Sequence, residues 1–171
     1  MNTPPRERKE LRLKPVRVFI HGLESSSRGT KGVYFREKFP DMLIEDYTGL
    51  LEKRMARLRG LLAGRKDLIL VGSSFGGLMA AIYACEHEQS VRRLILLAPA
   101  LDLGYFKPCS EKRLEIPVWL YHGKEDDVVP PGPVEKIARK VFRNLSYHLV
   151  DDDHSLHRTF PDMEWDRLLS V

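Results

Sequence analysis

Short runs of aliphatic residues with no polar interruption constrain this sequence more than any other feature. "LILVG" at 68–72 and "LILLAPA" at 94–100 are made almost entirely of branched or small apolar residues. Such runs offer no polar face to water, so they must be buried on both sides, as the strands of a parallel sheet are. "VRVFIHG" (16–22), "MLIEDY" (42–47), "PVWLYHG" (117–123) and "LSYHLVD" (145–151) are further strand candidates. Between them lie segments with helical patterning: "GVYFREKF" (32–39), "LLEKRMARLRGLLAG" (50–64), "FGGLMAAIYACEHE" (75–88) and "PVEKIARKVF" (133–142), with "MEWDRLLS" (163–170) last. Strand–helix alternation predicts an α/β fold. We expect a doubly wound, mostly parallel sheet of about six strands with helices on both faces and ligands at the carboxyl ends of the strands.

The 171 residues suit one domain, and no repeat, low-complexity run or linker divides them. The net charge of +4 is confined to one end: residues 1–17 carry six Lys/Arg against two Asp/Glu, and the remainder is balanced. We therefore expect a basic, solvated tail over 1–15 and a folded domain over 16–171. No aromatic residues interleave with the charges of the tail, so no nucleic-acid partner is expected. Cys85 and Cys109 have no metal-ligand spacing and are expected as reduced thiols, Cys85 on an apolar helix face. No run approaches membrane-spanning length and no signal pattern opens the chain, so a cytoplasmic protein without membrane insertion is expected.

The strand at 67–72 runs directly into Gly72-Ser73-Ser74-Phe75-Gly76-Gly77, and a helix follows. Gly72 to Gly76 reads G-x-S-x-G with Ser74 at its centre, between a strand and a helix as a nucleophile elbow requires. The elbow raises the central hydroxyl above the sheet at a helix N-terminus, where the dipole favours developing negative charge. Serine also caps helices, which is the plainer reading of Ser74. Gly72 and Gly77 have the spacing of a phosphate-binding loop, but Leu78 and Met79 stand where Lys and Ser/Thr would be needed.

A serine needs a base, and the base needs an acid to orient it. In elbow-bearing folds the order is Ser, then Asp/Glu, then His. "KEDDVVP" follows the strand at 117–123 and "DDDHSLH" follows the strand at 145–151. From these loops Asp126 is the candidate acid, with Glu125 and Asp127 as neighbours that resemble it, and His154 the candidate base, with His157 second. The oxyanion hole needs two backbone N–H groups. Phe75 supplies one, and Leu23, in the "HGLESSS" loop after the first strand, the other. His21 and His122 each precede a glycine at a strand end and are expected to brace loops. "LDLGYF" (101–106), Val128, Leu156 and Phe160 are candidates to line an acyl pocket or simply to fill the core.

Four elements in this order, His21-Gly22, "GSSFGG" at 72–77, "HGKEDDVVP" at 122–130 and "DDDH" at 151–154, resemble the serine hydrolases of the α/β-hydrolase superfamily over about residues 16–170. The third is the most specific, since the superfamily often shows HG-x-x-D-x-V-V-P there, with the acid at Asp126. "FIHGLESSSRGTK" resembles the first loop of small lid-less YqiA-like esterases. The resemblance implies an α/β-hydrolase fold without a lid domain, entered at the superfamily's third strand. It implies hydrolysis of small-molecule carboxylic esters or thioesters of small to medium acyl chain, with Ser74, Asp126 and His154 catalytic and no cofactor. A peptidase would use the same residues, and a catalytically idle binding module would keep the fold alone. Glu24 departs from expectation by placing a negative charge in the oxyanion loop.

Overall fold

The aliphatic runs become the strands of one sheet. In a computed structural model, which describes residues 14–170, these are β1 (Val16–Ile20), β2 (Leu43–Ile44), β3 (Leu68–Ser73), β4 (Val91–Leu97), β5 (Leu114–Gly123) and β6 (Phe142–Val150). Their order is β2-β1-β3-β4-β5-β6, and every neighbouring pair is parallel. The helices are α1 (Thr30–Lys38), α2 (Leu51–Leu62), α3 (Phe75–Glu86), α4 (Pro131–Val141) and α5 (Trp165–Leu168). The expected basic tail, residues 1–15, lies outside the described residues apart from Lys14 and Pro15.

Side chains alternate across each strand, so an unbroken aliphatic run supplies both faces at once. Leu68 and Leu70 of β3 join α2, α3 and α4 in one core. Ile69 and Val71 face the opposite way and pack with Phe35 of α1 and with Trp165 and Leu168 of α5. The central helix α3 is buried along nearly its whole length, from Phe75 to Cys85. Its alternatives in sequence were few: a segment as apolar as "FGGLMAAIYAC" has no face to give to water.

The chain leaves β1 for β2 on one side and then returns past it to β3 on the other. This reversal opens a crevice at the carboxyl ends of β1 and β3, the place where open α/β sheets hold ligands. The loops after β1 and β3, and those after β5 and β6, all lie on that edge because every strand runs the same way. The connection from β4 to β5 spans only residues 98–113 and contains a short 3₁₀ turn, Gly104–Cys109, with no lid domain.

Two expectations need correction. The strand at 42–47 shrinks to Leu43–Ile44, because the next residues are drawn to the β1 loop: the Tyr47 N–H donates to His21 Nε2 at 3.0 Å and Asp46 accepts the Ser27 N–H at 2.7 Å. The cysteines are not free thiols. The 3₁₀ turn folds back on the end of α3, brings the Cα atoms of Cys85 and Cys109 within 6.2 Å, and the two form a disulfide. An inference of a reducing compartment from unpaired thiols loses its premise. No helix among the described residues is long and apolar enough to cross a membrane.

The disulfide closes a loop of sequence separation 24. Cross-linking a loop of that size restricts the unfolded chain by about 3 kcal/mol. The double substitution Cys85→Ser/Cys109→Ser is expected to lower the unfolding free energy by roughly that amount, read from urea denaturation under non-reducing conditions.

Candidate active site

The site begins with a backbone crossing. At the end of β3 the chain turns so sharply that Ser74 sits at φ +55°, a left-handed value that a non-glycine residue adopts only under constraint. The constraint is the packing on either side. A Cβ on Gly72 would collide with the carbonyl oxygen of Gly76, and a Cβ on Gly76 with the carbonyl oxygens of Ile20 and His21. The elbow can therefore close only with glycine at both positions. The Ser74 N–H is held by Leu97 O at 2.8 Å, and the Ser74 carbonyl accepts from Gly77, Leu78 and Ala100. Ser74 occupies the N-cap position of α3, yet its side chain caps nothing. That removes the plainer reading of this serine, because its hydroxyl is turned to another partner.

That partner is His154. Its Nε2 lies 2.9 Å from Ser74 Oγ, and its Nδ1 lies 2.8 Å from Asp126 Oδ2. A carboxylate oxygen is acceptor-only, so Nδ1 carries the ring proton and Nε2 offers its lone pair to the serine hydroxyl. Ser74, Asp126 and His154 thus meet in one line, although 80 residues separate the serine from the histidine. The Asp126 side chain is fully buried. Its Oδ1 accepts the N–H groups of Val128 at 3.0 Å and Val129 at 2.8 Å. Its neighbours Glu125 and Asp127 are exposed and take no part. His157 is 62% exposed and pairs with Asp153, away from the serine.

The two predicted oxyanion donors flank the serine. Gly22 packs so closely on Ser74 that a Cβ there would stand 3.3 Å from the serine Cβ. The following Leu23 and, across the gap, Phe75 both have backbone N–H groups with no acceptor among the described residues. The β1 loop is pinned by His21, whose Nδ1 donates to Gly22 O at 2.7 Å while its Nε2 accepts from Tyr47. Asp46 closes the same brace, and the Ser27 N–H holds its carboxyl below the ordinary carboxylate range. His21 therefore braces a loop, as expected.

A cleft of about 490 Å³ opens over Ser74 and His154. Its lining includes Leu23, Glu24, Lys31, Val128 and Ser155. Leu23 and Val128 are exposed apolar side chains at this opening. Of the residues considered for an acyl pocket, Val128 alone lines the cleft. Leu156 and Phe160 are buried in the core beside α1 and α5, and Leu101 and Phe106 are buried in the core on the other face of the sheet. Glu24 stands exposed at the cleft. Lys31 Nζ donates to Ser155 O at 2.5 Å, and burial lowers its pKa despite the nearby Asp152 and Asp153.

The "DDDH" run holds a residue that sequence reasoning passed over. Asp152 is fully buried, and its carboxylate accepts N–H groups from Asp153, Arg158 and Thr159 at 2.9, 3.1 and 2.7 Å. It folds the segment around His154 into a fixed turn. Asp153 accepts from the hydroxyl and N–H of Ser155, which with His157 holds its pKa down at about 2. Asp152, Asp153 and His157 lie together, but the oxygens of Asp152 are already committed to the turn.

The known proteins that this chain resembles share its fold. A family model described as alpha/beta hydrolase fold matches residues 23–112. Among solved structures, alpha/beta hydrolase domain-containing protein 10 from mouse superposes with a TM-score of 0.72 at 21% identity, over 85% of this chain and 84% of that one. Est1E from Butyrivibrio proteoclasticus, solved with ferulic acid bound, gives 0.69 at 18% identity, over 86% and 84%. An esterase from Pyrococcus furiosus gives 0.70 at 16% identity, over 90% and 79%. At these identities the likeness is one of fold. No curated protein matches the sequence.

Burial pushes the Asp152 pKa up, but the N–H groups of Thr159 and Asp153 outweigh it and the net shift is downward. A lowered carboxyl pKa contributes stability that is complete above the unfolded value of about 4 and is lost as pH falls through the folded value. Asp152→Ala leaves three partly buried N–H groups without their acceptor and is expected to cost about 1–3 kcal/mol at pH 7. In urea unfolding, the gap to wild type is expected to narrow as pH is taken below about 4.

Proposed function

The chain belongs to the α/β-hydrolase fold family, and on that premise we propose that it is a serine hydrolase of carboxylic esters or thioesters with small to medium acyl chains. One observation carries the reading: the unbroken line from Asp126 through His154 to Ser74, ending on a serine held at positive φ. A helix cap or a loop brace needs neither the strain at Ser74 nor a buried acid behind the histidine.

In this reading the substrate carbonyl enters the cleft above Ser74. Ser74 Oγ attacks the acyl carbon as His154 Nε2 takes its proton, and the carbonyl π electrons move onto oxygen. The N–H groups of Leu23 and Phe75 receive that oxyanion, aided by the N-terminus of α3. Asp126 keeps the imidazole ring in place and offsets the positive charge it gains. The intermediate collapses, the carbon–oxygen or carbon–sulfur bond breaks, and His154 returns the proton to the leaving group. Water then attacks the acyl-enzyme with His154 as base, releasing the acid and restoring Ser74. Within the protein the proton moves only between Ser74 and His154, which are already in contact.

The open cleft and its apolar rim of Leu23 and Val128 suit short and medium acyl chains. The wild type is expected to hydrolyse 4-nitrophenyl esters from acetate to hexanoate and to take a fluorophosphonate label on Ser74. Ser74→Ala is expected to lose the label and at least about 10⁴-fold in kcat, and Asp126→Asn at least about 10³-fold. A folded wild type that neither labels nor hydrolyses would refute the proposal and leave a binding module on a hydrolase fold.

A further inference from the structure

We propose that His122 is a positioning residue for the catalytic acid: its Nε2–H fixes Asp126 and the loop that holds it. The proposal rests on the serine hydrolase reading. His122 is the penultimate residue of β5, and its side chain is fully buried four residues before Asp126. Its Nε2 lies 2.8 Å from Val129 O and 3.1 Å from Asp126 Oδ2. Both neighbours are acceptors, so this nitrogen must carry the ring proton. The carbonyl of Val129 takes the direct hydrogen bond, and the same N–H dipole lies against the carboxylate.

The two contacts act on one object. By holding Val129 O, His122 anchors the same residue whose N–H, one peptide unit earlier, donates to Asp126 Oδ1 at 2.8 Å. By touching Oδ2 directly, it meets the very oxygen that faces His154 Nδ1. The carboxylate is thus gripped on both oxygens, and its one free direction points at the catalytic histidine. Rotation of Asp126 would swing His154 away from Ser74, and small misplacements of reacting groups carry large kinetic costs.

The other ring nitrogen marks this arrangement as more than packing. His122 Nδ1 is buried with no hydrogen-bond partner. A buried histidine with one nitrogen unpaired is an expensive way to fill space. A phenylalanine would fill it without that cost but would lack the Nε2–H. A glutamine would keep an amide N–H₂ able to reach both acceptors.

The test uses the full chain in three forms, wild type, His122→Phe and His122→Gln. In wild type, ¹⁵N spectra of histidine-labelled protein read the tautomer without any reference to activity. The expected result is a proton on Nε2 and a bare Nδ1, and the opposite tautomer overturns the proposal. In steady-state hydrolysis of a 4-nitrophenyl ester, His122→Phe is expected to lose about ten- to a hundredfold in kcat with KM within about twofold, and His122→Gln to recover most of the loss. The rate of fluorophosphonate labelling at Ser74 is expected to follow kcat. A folded His122→Phe that labels and turns over as fast as wild type overturns the proposal. If His122→Phe does not fold, the tautomer and the behaviour of His122→Gln decide it: loss of kcat in a folded Gln variant overturns it. A wild type that never labels refutes the hydrolase reading instead, so the two failures are told apart.

Discussion

Everything in this molecule that resembles a reactive centre depends on one close crossing, where the turn between β3 and α3 lies against the end of β1. Gly76 presses on the carbonyls of Ile20 and His21, and Gly72 on the first turn of the helix that follows it. No side chain fits between these backbones. The crossing forces Ser74 into a left-handed conformation, lifts its hydroxyl clear of the helix cap position, and brings Gly22 against it. The strain is held by the buried body of α3 and by hydrogen bonds from both ends of the serine peptide. The disulfide adds a further tie, since the turn ending at Cys109 carries Tyr105, which packs edge-on against Phe75.

The second requirement is that distant segments arrive on the same edge. A fully parallel sheet meets it without special contacts, because each strand delivers its following loop to one side. Ser74, Asp126 and His154 come from the ends of β3, β5 and β6, and Leu23 from the end of β1. Fine placement is then local. Asp126 is fixed by the N–H groups of its own loop and by His122, and the turn around His154 by the carboxylate of Asp152. His21 and Asp46 tie the loop after β1 to the segment after β2. Asp126 and the turn that carries His154 are thus each held by buried polar partners, which is how a low-dielectric site keeps its geometry.

The sheet, its direction and the three catalytic candidates were legible in the sequence, for physical reasons. An unbroken "LILV" has only one stable environment, and a serine between two glycines at a strand end has few conformations open to it. Asp126 could be told from Glu125 and Asp127 only through the resemblance carried by "HGKEDDVVP"; burial of one carboxylate among three is decided by the fold. What stayed hidden depends on contacts between segments far apart in the chain. The Cys85–Cys109 bridge needs the fold-back of the 3₁₀ turn, which no spacing announces. The shortening of β2 follows from His21 and Ser27, some twenty residues upstream. Leu156 and Phe160 look like pocket residues by position in the chain, yet they face inward beneath α1 and α5. Asp152 and His122 were visible as letters beside the motifs, but their roles lie in which N–H or carboxylate they meet.

Acylation of Ser74 during turnover is read most directly by intact-protein mass spectrometry after rapid mixing with an excess of 4-nitrophenyl butyrate and acid quench. The expected result is a transient mass increase of one butyryl group, mapped by peptide analysis to the segment containing Ser74 and absent from Ser74→Ala. Turnover of the ester by folded protein with no adduct at any quench time, or with the adduct on another residue, would contradict it.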